Sequence, residues 1–391
     1  MTEHANTPEL RFPEFTEEWE ITLLGEVSYI TKLAGFEFTK YVNYSNEGKI
    51  PAIRGINIKN GRFNFEDVKY IDDSDFSKLS RSKLLPQDIV FTYVGTIGHA
   101  AIVPNDTSWY LAPNVAKIRS TNVYPDFLLQ ILTNPTFKRK EIFSWITTSS
   151  QPALSMANIR NFKLYLPSIL EQKKVGIFFS KLDQQIELEE KKLELLEQQK
   201  KGYMQKIFSQ ELRFKDEIGK VYPKWNLKKL KDIANVYQPQ NLSQNKFQEK
   251  GYPVYGANGV IGYYKEFNHS NMEIAIACRG NTCGRVNLTE PKSWITSNAM
   301  VVNIIDKNEI DFYFLYQYLR IINYNNVISG SGQPQITRKN MNSIELLVPK
   351  YVEQQKIGAF LTKYEELIKK QSSKVGLLKR RKQGLLQKMF V

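Results

Sequence analysis

Apolar residues in the stretch 171–208 fall at Val175, Phe179, Leu182, Ile186, Leu193, Leu196, Tyr203 and Ile207. The steps alternate between four and three, which is the heptad pattern of a coiled coil and predicts one long helix. Glu189 and Lys200 interrupt the apolar seam. A helix of this length is a rod of roughly 57 Å. Residues 353–390 repeat the pattern at Ile357, Leu361, Tyr364, Ile368, Val375, Leu378, Leu385 and Met389, with Gln371 and Lys382 as the matching interruptions. The offset between the two copies is 182 throughout.

The repeat extends beyond the rods. Ser149 through Phe208 aligns without a gap to Ser331 through Phe390, including Gln151-Pro152 with Gln333-Pro334, Asn158 with Asn340, Pro167 with Pro349 and Glu171-Gln172 with Glu353-Gln354. Upstream, Trp19 corresponds to Trp225 and the segment Gly95-Thr96-Ile97-Gly98 to Gly280-Asn281-Thr282-Cys283-Gly284, while the middles diverge. Each region preceding a rod mixes short apolar runs, such as 88–91 and 273–277, with Gly/Asn-rich turns and a more helical stretch, 125–141 or 311–323. Those runs read as strands. The fold class expected is α+β: two similar globules at 1–170 and 209–352, separated by spacer helices at 171–208 and 353–391. Related by a pseudo-two-fold axis, these helices form an intramolecular antiparallel coiled coil.

The interruptions suggest a register in which Glu189 meets Lys382 and Lys200 meets Gln371. The apolar layers then pair as Leu182/Met389, Ile186/Leu385, Leu193/Leu378, Leu196/Val375, Tyr203/Ile368 and Ile207/Tyr364. A charge opposed by an apolar residue in a seam is costly, which favours this register over a shift by one heptad. The paired segment would span ~40 Å, close to the ~34 Å turn of B-DNA.

Charge sharpens the picture. The net charge is +14, and it is uneven: residues 213–352 carry 18 basic against 11 acidic groups, and 353–391 carry 10 against three. Residues 1–170 balance at 18 each only because the first twenty hold six Glu and one Arg. A basic surface points to a polyanion, most often nucleic acid. Two Cys, Cys278 and Cys283, give no disulfide framework, residues 1–20 lack the apolar core of a signal peptide, and no apolar run is long enough to span a membrane. A cytoplasmic protein is expected.

The segments 166–175 (LPSILEQKKV) and 348–357 (VPKYVEQQKI), with 252–264 (YPVYGANGVIGYY), 95–98 (GTIG) and 330–334 (GSGQP), resemble the specificity subunit of type I restriction–modification systems. The resemblance covers essentially the whole chain, and the second globule carries more of it, since the first has no counterpart of Tyr255-Gly256-Ala257-Asn258-Gly259. It implies that each globule is a target recognition domain reading one half of a bipartite, asymmetric site in double-stranded DNA. The paired helices would fix the spacer and help dock two copies of a DNA adenine methylation subunit, with restriction/translocase subunits joining that core. The chain would perform no chemistry and bind no cofactor: S-adenosylmethionine, ATP and Mg²⁺ are expected on the partners.

Base edges are read by Arg, Lys, Asn or Gln, and phosphates are held by Ser, Thr, Lys or Arg. On presumed loops beside Gly or Pro, where backbone can approach DNA, the DNA-binding candidates are Arg54, Asn57, Lys59, Thr96 and Gln151 in the first globule. In the second they are Asn258, Lys265, Arg279, Asn281 and Gln333. Gln151 and Gln333 are shared by both globules, which suits a scaffold or phosphate contact; Arg54 and Arg279 are the better candidates for bases. Coiled-coil core positions are Leu182, Ile186, Leu193, Leu196, Ile207, Ile368, Val375, Leu378, Leu385 and Met389. Catalytic patterns fail on inspection. Asn134-Pro135-Thr136-Phe137 lacks the second Pro of the adenine-methyltransferase tetrapeptide and reads as a capped helix. Glu171 suits the first turn of a helix better than a nuclease site. Cys278, Cys283 and His269 do not have zinc spacing, and His99 reads as a structural loop residue. Two other function classes make different predictions: a coiled-coil scaffold would bind DNA without sequence preference, and a stand-alone nuclease or methyltransferase would act on it unaided.

Overall fold

The computed structural model describes residues 6–59, 61–105, 107–146, 152–330 and 334–391. The chain divides into two units, Met1–Glu190 with Lys374–Val391, and Lys191–Ser373. The two long helices, Ile169–Phe208 and Tyr351–Met389, each contribute to both units.

In the first unit, β1 (Glu20–Leu23) pairs antiparallel with β11 (Lys163–Leu166). An antiparallel sheet has the order β2-β10-β7-β8, formed by Ser28–Lys32, Val115–Ser120, Ile89–Thr92 and Ala100–Ile102. A small sheet sets β3 (Pro51–Ile53) between β6 (Lys69–Tyr70), antiparallel, and β9 (Tyr110–Leu111), parallel. A further hairpin joins β4 (Ile58–Lys59) to β5 (Arg62–Phe63). The second unit repeats the plan. The outer pair is β12 (Asn226–Lys229) with β22 (Glu345–Val348), and the antiparallel sheet is β13-β19-β16-β17, from Ala234–Tyr237, Ala299–Ile304, Ile274–Ala277 and Val286–Leu288. The small sheet places β14 (Tyr252–Gly256) between β15 (Gly259–Tyr264) and the parallel β18 (Trp294–Ile295). A short ribbon pairs β20 (Ile328–Ser329) with β21 (Gln335–Ile336). Strand order and direction match even where the sequences diverge: Ile53 beside Leu111 occupies the place of Tyr255 beside Ile295.

Each sheet is covered by one helix, Pro125–Thr133 or Phe312–Leu319, through Phe127, Leu128 and Leu132 or Phe314, Leu315 and Leu319, all fully buried. The first is shorter than the expected 125–141. Pro135 disfavours helical backbone at Asn134, which instead caps a new turn by accepting a 2.8 Å bond from the Thr136 amide. The long helices dock on these helices the same way in both units. Gln172 accepts from the Tyr124 amide (3.0 Å) and donates to the Pro167 carbonyl (2.9 Å); Gln354 accepts from the Asp311 amide (2.9 Å) and donates to the Pro349 carbonyl (3.0 Å). Gly176 and Gly358 permit this approach, for a Cβ on either would lie 2.9 Å from the amide nitrogen of Phe127 or Phe314. Gly176→Val is therefore expected to lower the stability of the first unit by roughly 1–3 kcal/mol, read as a lower urea midpoint.

Val175, Phe179, Ile357 and Leu361 leave the seam and enter the globule cores, contrary to the heptad reading. Beyond them the helices pair antiparallel within each unit. In the first, Phe179 meets Phe390, Asp183 meets Lys382 and Glu190 meets Lys379; in the second, Lys200 meets Glu365 and Tyr203 meets Phe360 and Tyr364. The core positions Leu182, Ile186, Leu193, Leu196, Ile368, Val375, Leu378 and Leu385 are all buried or half-buried, whereas Ile207 and Met389, expected in the same seam, belong to the globule cores. The expected register is not the one formed. Lys200 pairs with Glu365 rather than Gln371, Lys382 with Asp183 rather than Glu189, and Tyr364 lies against Tyr203 rather than Ile207, displacements of six, six and four residues, or roughly one to two turns.

The displacement has a physical cause. A lysine in the seam is long enough to reach an acid on the flank of the opposite helix, and each globule completes that layer with a buried glutamine. Lys382 holds Asp183 at 2.6 Å and the Gln130 amide donates to it at 3.2 Å. Lys200 holds Glu365 at 2.5 Å, Arg320 grips the same carboxylate, and Gln317 accepts from Arg320 at 3.4 Å. Burial pushes the Lys200 ammonium below its ordinary pKa, and Glu365 opposes that shift.

Candidate nucleic-acid interface

Three loops converge in each globule. The first is the turn between β7 and β8 (residues 93–99), with its counterpart between β16 and β17 (278–285). Gly95, Gly98, Gly280 and Gly284 all have left-handed backbone there, at φ 75°, 84°, 79° and 87°. Glycine adopts that conformation without a Cβ penalty. The second is the loop carrying the Gln-Pro pair. Its Pro152 carbonyl accepts from the Gly95 amide at 3.1 Å, and the Pro334 carbonyl accepts from Gly280 at 2.9 Å. Leu154 donates to Tyr93 (2.8 Å) and Ile336 to Cys278 (3.0 Å), so the tie is the same in both units. The third loop follows β3 or β14. Its root is fastened through 112–114 or 296–298: Ala112 donates to Ile53 and Tyr93 to Asn114, as Thr296 donates to Tyr255 and Cys278 to Asn298.

The candidates distribute over these loops unevenly. Thr96 is exposed in the glycine turn, and so are Arg279 and Asn281 in its counterpart. Asn258 is exposed at the two-residue turn of the β14–β15 hairpin, and Lys265 is exposed just after β15, 3.5 Å from Glu266. Lys59 is exposed on β4. Arg54 spans its own loop, its Nη2 donating at 2.7 Å to both the carboxylate and the carbonyl of Asp67. Asn57 corrects the sequence reading. It is 1% exposed, accepts from the Arg54 amide (3.1 Å), and donates to the Asn64 (3.0 Å) and Asp67 (2.8 Å) carbonyls. Its side chain is spent shaping the loop that presents Arg54. Gln151 and Gln333 lie outside the described residues, although their neighbours Pro152 and Pro334 sit against the glycine turns.

Sequence reasoning missed other participants. Lys32 stands over the Tyr93 ring, 5.4 Å from its centroid, at the root of the first glycine turn. Gln238 donates to the Ser297 carbonyl (3.1 Å) and the Cys278 sulfur (3.3 Å) at the root of the second. Gln130 and Gln317 carried a legible signal: each is one polar residue inside an apolar helical run, at the same place in both copies. The residues of the catalytic look-alikes are occupied. Arg11 binds Glu171 with two bonds of 2.7 and 2.6 Å, and the Asn134 amide caps a helix and donates to the Leu386 carbonyl at 3.3 Å. Cys278 is buried and Cys283 half-buried, both as free thiols raised in pKa chiefly by burial. Among the described residues no helix is long and apolar enough to cross a membrane.

A model of the type I restriction modification DNA specificity domain matches residues 16–198 and again 222–376. A putative type I restriction enzyme MjaX specificity subunit of Methanocaldococcus jannaschii is 25% identical over 387 residues, covering 91% of this chain and 88% of that protein. The type I restriction enzyme EcoprrI specificity subunit of Escherichia coli is 32% identical over 127 residues, 32% of this chain and 31% of its own. In fold, the chain is similar to the crystal structure of a type I restriction–modification S subunit from M. genitalium, with a TM-score of 0.69 at 16% identity over 98% of this chain and 99% of that one. A chain from a structure on assembly and conformational transition of the type I system gives a TM-score of 0.53 at 18% identity, covering 97% and 99%. With the family model matching both halves of the duplication, the chain belongs to the family of specificity subunits of type I restriction–modification systems.

Proposed function

We propose that each globule reads one half of a bipartite site in double-stranded DNA through its three convergent loops. The long helices set the spacer and dock two methylation subunits, which restriction/translocase subunits join. The observation that carries this reading is the repeated loop cluster: a similar loop scaffold, tied by the same backbone hydrogen bonds, presents Thr96 in one globule and Arg279, Asn281 and Asn258 in the other. One scaffold with two sets of exposed side chains suits two different half-sites. The chain itself acts as a reader without chemistry, and the methyl donor, ATP and Mg²⁺ belong to the partners. The occupied Glu171 and Asn134 support that division of labour. A cytoplasmic location follows from the role.

The test is binding to duplex DNA across a range of salt. Affinity falls steeply with salt if phosphates are contacted. Arg279→Ala is expected to cost about 1–3 kcal/mol of discrimination, confined to one half of the recognised sequence. A sequence-independent loss, or none, would remove Arg279 from base reading. Affinity without sequence preference would favour a scaffold instead, and cleavage or methylation by the chain alone would make it an enzyme.

A further inference from the structure

The first unit holds a cleft of about 600 Å³, walled by β4, β5, β8 and the helix Pro125–Thr133 on one side and by the paired long helices on the other. Five basic side chains line it, Lys59, Arg62, Lys138, Lys379 and Lys382, against two acids, Asp183 and Glu190. The acids are already taken. Asp183 is held by Lys382 at 2.6 Å, and Glu190 by Arg62 and Lys379, both at 2.7 Å. Lys59 and Lys138 have no carboxylate partner among the described residues. His99 lines the same cleft, and its Nδ1 is buried without a hydrogen-bond partner. Burial pushes the His99 imidazole below its ordinary pKa, and Lys138 and then Lys59 push it further. Burial also lowers Lys138.

Basic groups that converge in a partly desolvated cleft and repel one another are stabilised by an anion. We propose that Lys59, His99 and Lys138 form an oxyanion site, occupied in the DNA-bound state by one backbone phosphate. The assignment of the anion to DNA rests on the reading of the chain as a DNA-specificity subunit. Position supports it. His99 directly follows the glycine turn that exposes Thr96, and the Lys138 side chain lies against Gly98, its Cε 3.7 Å from where a Cβ would stand. A phosphate held here lies beside the recognition loop, and its capture draws a proton onto His99.

The full chain contains three histidines, His4, His99 and His269, so imidazole resonances of ¹⁵N-histidine-labelled protein are assignable with His99→Gln. In chloride, His99 is expected to titrate below the ordinary value. Inorganic phosphate at matched ionic strength is expected to raise its pKa by about 0.5–1 unit, leaving His269 unmoved. Lys138→Gln is expected to raise the phosphate-free value and abolish the response to phosphate. A His99 indifferent to phosphate, or a response surviving Lys138→Gln, overturns the site. In the DNA arm, Lys59→Gln with Lys138→Gln is expected to weaken binding roughly 5- to 50-fold without changing sequence preference, and to reduce the salt slope by about 1. Failure of the unsubstituted chain to bind DNA refutes the reading of the chain, and with it the phosphate assignment, while the response to inorganic phosphate still judges the site. Full DNA binding with an unaltered slope and an unmoved His99 refutes the site and leaves the reading intact.

Discussion

Glu353→Ala is expected to lower the stability of the second unit by about 3–5 kcal/mol. The carboxylate is fully buried and takes two bonds of 2.8 Å from Arg213, and the Trp225 indole donates to it at 3.3 Å. Removing it strands a guanidinium that is itself 15% exposed, stacked 5.5 Å from the Trp225 ring. The loss has two parts, the broken charge-assisted bonds and the uncompensated buried cation, and the second is the larger. In a unit of this size that corresponds to a midpoint lowered by roughly 6–20 °C, followed by Trp225 fluorescence. Replacing both partners, Arg213→Met with Glu353→Leu, is expected to recover most of the loss, since no buried charge is then left alone. A single variant as stable as the parent would show that this pair does not anchor the start of the long helix.

Phe208→Ala is the second large effect, about 3–5 kcal/mol. Phe208 ends the first long helix, yet its ring lies among aromatic residues of the second globule: 4.6 Å from Tyr318 in a stacked geometry, 5.9 Å from Phe314 and 6.4 Å edge-on to Trp225. The first unit holds the same device in Phe390, 5.3 Å from Phe127 and 6.1 Å from Trp19. Each long helix therefore begins docked on one globule and ends as an aromatic plug in the other. The substitution leaves a cavity at that plug, so the expected loss exceeds the transfer free energy of the ring alone. Because Trp225 touches both Phe208 and the Glu353 carboxylate, the two substitutions are expected to be non-additive, and a double-mutant cycle measures the coupling.

The large features of the molecule were legible in the sequence because they rest on periodicity. The 4-3 spacing gave both long helices, and the constant offset of 182 gave the duplication and the antiparallel pairing. The register was not legible. Pairing the seam interruptions with one another treats the two helices as isolated, whereas Lys200 and Lys382 are satisfied by Glu365 and Asp183 on the flanks, with Gln317 and Gln130 supplied by the globules. A heptad pattern does not encode a partner that lies outside it. Val175 and Phe179 satisfy the same pattern while packing in a globule core, since apolar spacing does not say which surface covers the helix. At the candidate site, glycine punctuation located the loops correctly, and Thr96, Asn258, Arg279 and Asn281 are exposed on them. Asn57 failed because an asparagine beside glycine in a loop is equally suited to bonding its own backbone, which is what its three partners show. The Lys59–His99–Lys138 cluster joins residues from three separate elements and has no sequence signature.

The central claim is that each globule reads its own half of the DNA site. It is tested most directly by replacing residues 20–166, from β1 through β11, with the corresponding globule of another specificity subunit, and mapping methylated adenines across the genome in cells carrying the assembled enzyme. One half of the recognised sequence changes, while the other half and the spacer stay as they were. A swap that alters both halves, or leaves the methylated sequence untouched while the enzyme remains active, contradicts the account.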